Sequence, residues 1–279
     1  MNSSTFKAYV ELLRPLNVGI VFLTIAAAAV LADARAADWL VVVLAASAGA
    51  LIAGGGYALN DYFDLDIDTI NRPARPLPRG AARTEGALWI WRVTSTAGVL
   101  VSAYLGPITF SIALFWVVSL YFYNRTYKRT VLVGNVLIGV DTGLAFVYGA
   151  VAIGNAQRSW FPALFAFLIN VARELVKDVE DLEGDARGNA QTLPVKYGAK
   201  PALMLASLTI ILLVGATFLP YSSGLYTIDY LIIVTVVNVA LLYVLNSMWR
   251  DRSPSNLNKL SLILKLNMVV GLIAIFVGS

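Results

Sequence analysis

Asn60, Asp64 and Asp68 follow one another at i, i+4 and i+8 in the segment Asn60-Asp-Tyr-Phe-Asp-Leu-Asp-Ile-Asp68, so one helix through the segment would line them along a single face. Asp61 is their close neighbour, and Asp66 points elsewhere. More than a hundred residues later Glu174, Asp178, Asp181 and Asp185 repeat the pattern at i, i+4, i+7 and i+11, with Arg173 and Lys177 on the adjoining face. The two clusters hold ten of the chain's seventeen carboxylates. Each lies at the end of a long apolar run. Gathered carboxylates repel one another and are costly to desolvate, which makes a divalent cation the expected partner. A solvated helix end, or a surface network with Arg173 and Lys177, is the plainer use of the same residues. Two clusters with matched spacing favour the cation.

Mg²⁺ takes one or two protein carboxylates and completes its shell with water and phosphate oxygens, so divided acidic faces suit ions that bridge a diphosphate. Beside the first cluster, Asn71-Arg-Pro-Ala-Arg-Pro-Leu-Pro-Arg-Gly80 carries prolines that predict an extended loop. Its Arg72 and Arg75 are placed to hold phosphate oxygens. Arg79 serves either the same purpose or lipid head groups. Gly184 is the expected point at which the chain leaves the second acidic helix.

The elements that must position these groups are membrane helices. Hydrophobic residues make up 58% of the chain, and the mean hydropathy is +0.73, far above soluble domains. Apolar runs long enough to cross a bilayer recur about nine times, at residues 17–33, 39–60, 87–105, 107–123, 131–153, 160–176, 201–220, 228–248 and 259–277. No long polar linker interrupts them, so residues 1–279 read as a single membrane domain. The amphipathic start, through Arg14, is expected to lie along the interface and does not read as a cleavable signal peptide. Of the 21 basic residues, only Arg35 and Arg158 fall in alternate connections. The positive-inside rule therefore predicts a multi-pass protein of the cell membrane, with the N-terminus and both acidic clusters cytoplasmic and the C-terminus outside. The net charge of +4 restates that pattern and gives no reason to expect nucleic acid. The chain has neither Cys nor His, which excludes disulfides, thiolate or imidazole metal sites and the commonest general base.

Taken together, Asn60-Asp-x-x-Asp-x-x-x-Asp68, Asn71-Arg-Pro-x-Arg-Pro, Asp178-x-x-Asp-x-x-x-Asp185 and Thr192-Leu-Pro resemble the UbiA superfamily of intramembrane prenyltransferases. Arg14-Pro-x-Asn17, Tyr123-Asn-Arg-Thr-Tyr-Lys128 and Gly134-Asn135 extend the likeness over essentially the full chain. The resemblance implies an all-α integral membrane fold of about nine helices around a central cavity. It also implies Mg²⁺ as cofactor, held by Asp64, Asp68, Asp178, Asp181 and Asp185, with Asn60 and Lys128 completing the catalytic set. Asn17, Asp61, Arg72, Arg75, Tyr123, Tyr127, Asn135, Arg173 and Lys177 are the expected substrate contacts. The partners it implies are a prenyl diphosphate donor, a lipid-like acceptor and membrane lipid; it names no protein partner.

Arg173-Glu-x-x-Lys-Asp-x-Glu-Asp-x-Glu-Gly-Asp185 with Thr192-Leu-Pro-x-x-x-Gly198 is most similar to the branch that makes archaeal-type ether lipids. Members of that branch pass a geranylgeranyl group from geranylgeranyl diphosphate to the sn-2 hydroxyl of geranylgeranylglyceryl phosphate. Prenylation of a quinone-precursor ring or of a chlorophyllide-type tetrapyrrole is the alternative within the superfamily. A cation-coupled transporter is the alternative outside it, but transport sites usually lie near the midplane on interrupted helices. Here only Asp141, in Val140-Asp-Thr-Gly143, is central. Asp141 departs from the family pattern, and reads either as a contact to acceptor or water or as a neutral acid bonded between helices.

Overall fold

In the computed structural model, which describes residues 3–279, the chain forms fourteen α-helices and no strand among the described residues. They are α1 (Ser3–Leu12), α2 (Pro15–Leu31), α3 (Trp39–Phe63), α4 (Leu65–Asn71), α5 (Thr84–Leu105), α6 (Pro107–Arg125), α7 (Val133–Ala152), α8 (Trp160–Glu180), α9 (Leu182–Arg187), α10 (Leu193–Tyr197), α11 (Ala199–Ala216), α12 (Leu219–Ser222), α13 (Ile228–Arg250) and α14 (Pro254–Gly278). The nine predicted spans all fall on long helices, α2, α3, α5, α6, α7, α8, α11, α13 and α14. By length and hydropathy, however, seven described helices qualify as membrane spans, or eight if α1 and α2 count as one segment bent by 42°. The expected nine is therefore not reached on that measure. Helix α5 is outside the seven: it carries Glu85, Arg92, Thr94 and Ser95, which pull its hydropathy down.

Packing sorts the chain into two compact units, one comprising the chain up to Thr126 with Leu144–Ser159, the other Tyr127–Gly143 with Trp160–Ser279. Helix α7 gives its second half to the first of these and its first half to the second.

In the first unit α3 is the central helix, packed by α2, α5 and α6. Its buried face is built from small residues, Ala45, Ala46, Ala48, Gly49, Gly54, Gly55, Gly56 and Ala58. Bilayer lipid offers little hydrophobic drive for helices to associate, so such faces gain stability by letting backbones meet closely. Gly98 of α5 shows how closely: a Cβ there would lie 2.7 Å from the Ala48 carbonyl oxygen. Ile25, Ile52, Ile112, Trp116 and Tyr148 fill the larger gaps. The one buried phenol among them is satisfied, since Tyr148 Oη and Ser102 Oγ are 2.7 Å apart. A second, smaller cluster seats Ala8 and Leu12 of α1 against Ala58, Leu77, Ala82 and Ala87.

In the second unit α8 packs against α11 and α14, and α13 against α14. Leu175, Leu203, Ile210, Leu241, Leu257 and Leu264 are fully buried there. Two polar side chains inside it bond to backbone carbonyls, which offsets their burial: Asn267 donates to the Val237 carbonyl at 3.0 Å and Tyr230 to the Thr217 carbonyl at 2.7 Å. On α11 and α13 the opposite faces leave Leu208, Ile211, Leu212, Ile232, Val236 and Val239 exposed. Apolar side chains so displayed are the surface a bilayer solvates.

Candidate active site

Both acidic segments are built the same way. Helix α3 ends at Phe63, Asp64 departs from helical geometry at φ −97° and ψ 6°, and α4 begins at the next residue. The backbone nevertheless keeps i to i−4 bonds across the break, Asp64 N–H to the Asn60 carbonyl at 3.0 Å and Asp68 N–H to the Asp64 carbonyl at 2.7 Å. The expected face of Asn60, Asp64 and Asp68 survives because the helical spacing does. In the second unit Asp181 is the interrupting residue, at φ −87° and ψ 5° between α8 and α9, with Asp181 N–H to the Lys177 carbonyl and Asp185 N–H to the Asp181 carbonyl, each 2.9 Å.

At the first segment Asn60 is the hub. Its amide nitrogen donates to Asp64 Oδ2 at 3.0 Å and to Asn124 Oδ1 at 2.8 Å, and its oxygen accepts from Arg14 at 3.2 Å. Asp61 and Asp68 are buried, at 3% and 4% exposure. Arg14 donates to Asp61 at 2.5 Å, and Arg75 bridges Asp61 and Asp68 through one guanidinium nitrogen. Asp66 is exposed, away from this network.

The loop that carries Arg75 differs from expectation. Its prolines give a chain of turns, with Arg75 N–H on the Arg72 carbonyl, Arg79 N–H on the Arg75 carbonyl and Gly80 N–H on the Leu77 carbonyl. The turns close because only the proline nitrogens lack a proton, leaving the intervening amides free to bond. Arg72 is exposed, and Arg79 pairs with Glu11 at 2.5 Å. Asn17 is half-buried in the first turn of α2, and Tyr123 half-buried near the end of α6. An apolar cavity of about 480 Å³ in this unit is lined by Leu13, Val18, Phe22, Leu51 and Gly54 among others.

At the second segment Asn135, itself buried in the first turn of α7, donates to Asp178 Oδ2 at 2.8 Å. Thr192, 2% exposed, donates to Asp185 at 3.2 Å. Burial pushes the Asp185 carboxyl above the usual range, and the Thr192 hydroxyl pulls it back. The Asp181 carboxylate raises it further, while Lys177 and Arg129 lower it. Asp181 is exposed. Arg173 donates to its neighbour Glu174 at 2.7 Å, and Lys177 is half-buried beside them. Tyr127 and Lys128 lie on a 3₁₀ turn, Tyr127–Arg129, whose last carbonyl accepts the Gln191 N–H at 2.8 Å. The chain leaves α9 at Gly188 and Asn189, the latter left-handed at φ 53°, and not at Gly184, which stays inside the helix. Asp141 is half-buried eight residues beyond the start of α7, about 12 Å along its axis.

Asn124 and Glu11 are the residues that motif reading passed over. A single amide in the last turn of an apolar helix was the available signal for Asn124; for Glu11 there was none beyond its position in an amphipathic start. Asn135 and Thr192, which the motifs had marked, prove to orient Asp178 and Asp185.

The donor set of both segments is carboxylate and amide oxygen with no sulfur or imidazole, which suits a hard cation such as Mg²⁺. Among the described residues no three acidic side chains enclose an ion by themselves. Carboxylates that supply one or two ligands each, with phosphate and water as the rest, fit that arrangement.

The fold thus carries two acidic helix ends, the first tethered by amide and arginine and the second by amide and hydroxyl, among helices long and apolar enough to cross a membrane. A model of the UbiA prenyltransferase family matches residues 21–269, and the chain belongs to that family. It is 36% identical to digeranylgeranylglyceryl phosphate synthase of Thermococcus kodakarensis over 98% of both chains. It is 35% identical to the enzyme of the same name from Methanopyrus kandleri, over 96% of this chain and 97% of the other. A solved structure described as digeranylgeranylglyceryl phosphate synthase superposes with a TM-score of 0.86 and 31% identity, covering 98% of each chain. A UbiA homolog from Archaeoglobus fulgidus bound to GPP and Mg²⁺ shares the fold, with a TM-score of 0.68 and 18% identity over 96% of this chain and 99% of that one.

Proposed function

We propose that this prenyltransferase joins a geranylgeranyl group, from geranylgeranyl diphosphate, to the sn-2 hydroxyl of geranylgeranylglyceryl phosphate, with Mg²⁺ as cofactor. The observation that carries the reading is the pair of tethered acidic helix ends at Asp64 and Asp181. Near full-length identity to synthases of that name supports the choice of acceptor.

In the reaction the allylic C–O bond of the donor breaks, diphosphate leaves with the bonding pair, and the acceptor oxygen forms the new C–O bond as its proton passes to a diphosphate oxygen or an Asp carboxylate. Mg²⁺, held by Asp64 and Asp68 and by Asp178, Asp181 and Asp185, would supply charge for the leaving diphosphate. Asn60 and Asn135 serve the reaction by fixing which carboxylate oxygens point outward, since each amide occupies one Asp oxygen as donor. Lys128, Arg72 and Lys177 add positive charge for diphosphate and for the acceptor phosphate. Tyr123 and Tyr127 offer aromatic faces to a developing allylic cation. Water must stay out, because it would capture that cation. In the membrane, the acidic segments and the N-terminus face the cytoplasm and the C-terminus faces outward.

Acceptor competition tests the reading. Purified protein given geranylgeranyl diphosphate and equal amounts of geranylgeranylglyceryl phosphate, 4-hydroxybenzoate and chlorophyllide should prenylate the glyceryl phosphate in preference. Mass spectra showing only a prenylated ring would reject the acceptor and keep the family chemistry.

A further inference from the structure

Arg14 opens the Arg14-Pro-x-Asn17 stretch but has no role assigned above, and both its backbone and its side chain are constrained. It sits at the break between α1 and α2 with φ 51° and ψ 68°, the left-handed region, although it carries a long side chain and precedes Pro15. Non-glycine residues hold that conformation only where their surroundings fix them. Here the backbone is fixed on both sides: Arg14 N–H donates to the Glu11 carbonyl at 3.0 Å, and the Arg14 carbonyl accepts Asn17 N–H at 2.9 Å and Val18 N–H at 3.1 Å.

The bend turns the guanidinium onto the acidic helix end. One nitrogen reaches Asn60 at 3.2 Å and Asp61 at 2.5 Å, and the group lies 5.2 Å from the centre of the Tyr57 ring. Asp61 is nearly inaccessible, at 4% side-chain exposure, so its charge depends on Arg14 and Arg75 for compensation. Helix α1 is braced in turn against the arginine loop. Glu11 pairs with Arg79, the Tyr9 hydroxyl accepts Arg83 N–H at 3.3 Å, and Ala8 and Leu12 pack on Ala58, Leu77 and Ala82. Thus α1, the bend at Arg14, the end of α3 and the loop of residues 72–83 form one continuous brace.

We propose that Arg14 is a positioning residue: it holds Asn60 and Asp61, and through them the orientation of the Asp64 and Asp68 face that receives the cation and diphosphate. The inference rests on the proposed reaction for its functional consequence, while its structural half stands apart from it. Arg14 touches no reacting atom. The N–H bonds of that one Arg14 nitrogen are fixed in the guanidinium plane and meet two acceptors of different charge, so the group sets direction as well as charge, which a freely rotating lysine ammonium does not.

The test uses the full chain in detergent, with Arg14→Ala, Arg14→Lys and Asp61→Asn. Backbone hydrogen exchange across residues 60–71, read by mass spectrometry, should rise about tenfold in Arg14→Ala with smaller change in α13 and α14. The Mg²⁺ midpoint for geranylgeranyl diphosphate binding should shift upward about tenfold, with kcat at saturating Mg²⁺ changing less than that midpoint. Arg14→Lys should recover part of the shift. Unchanged exchange at 60–71 in a folded Arg14 variant would overturn the positioning role, as would a loss confined to kcat with the midpoint unmoved. Where Arg14→Ala does not fold, Arg14→Lys and Asp61→Asn carry the same two readouts. A parent protein without Mg²⁺-dependent diphosphate binding would refute the proposed reaction, and the exchange data would still decide the brace.

Discussion

Thr192 shows how much of the chemistry is set by single uncharged side chains. Burial alone favours the neutral form of Asp185, and the Thr192 hydroxyl opposes it by donating to the carboxylate. A carboxylate raised in the fold stabilises the protein fully below its unfolded pKa, near pH 4 in roughly ordinary cases, and that contribution is lost as pH rises through the higher folded value. Thr192→Val removes the opposing hydrogen bond, so the folded value rises further. The acid limb of Mg²⁺-dependent diphosphate binding should then move to higher pH than in the parent; an unmoved limb would detach Asp185 from cation binding. The carboxylates themselves were legible in the sequence because their spacing repeats a helix turn. Their tethers were only half legible. Asn135 and Thr192 sit in motif stretches, but the identity of the acid each one holds is a tertiary fact, as is the Asn60 to Asn124 bond across 64 positions.

At the scale of elements, the one-residue breaks at Asp64 and Asp181 let a long membrane helix end and a short helix follow without losing the i, i+4 face. Sequence reading had the face and not the break, since nothing in residues 60–68 is a helix breaker. It likewise took Gly184 for the exit, where a left-handed Asn189 beside Gly188 makes it. Proline was read by its fixed φ alone, and the loop proved to be built of turns because the amides between the prolines found carbonyls. The small-residue face of α3 has a testable consequence. Gly98→Val would place its Cβ 2.7 Å from the Ala48 carbonyl and 3.1 Å from Ile52 Cδ1. Overpacking of this kind costs about 1–3 kcal/mol. Gly271, with open space around its Cα, should accept Ala with no loss, and helix propensity favours the change by up to about 1 kcal/mol. Melting in detergent should fall for the first variant and hold or rise for the second; equal melting would deny close α3 and α5 contact.

For the whole molecule, composition was enough to place the chain in a membrane and the motifs enough to place it in its family. The number of spans was less legible: seven or eight described segments qualify, because α5 mixes charged and hydroxyl residues into an apolar helix and α2 joins α1 through a bend. Hydropathy counts apolar length, and it is blind to polar groups that a neighbouring helix will cover. Orientation rests on the basic residues and has its own check. The chain has no cysteine, so Arg252→Cys and Ser223→Cys, both at exposed positions, each add one reactive thiol. In sealed right-side-out vesicles an impermeant maleimide should label Ser223→Cys and spare Arg252→Cys until the membrane is opened. The reverse pattern would invert the orientation.

The proposed reaction requires Mg²⁺ and the carboxylates of each acidic helix end. Single-turnover transfer of geranylgeranyl to geranylgeranylglyceryl phosphate, measured in parent, Asp64→Ala and Asp181→Ala proteins of matched melting temperature, tests it most directly. Transfer should proceed in the parent with Mg²⁺, stop in EDTA, and fall by at least about a thousandfold in each variant, equivalent to roughly 4 kcal/mol of lost transition-state stabilisation. Near-parental rates in both variants, or full transfer in EDTA, would contradict it.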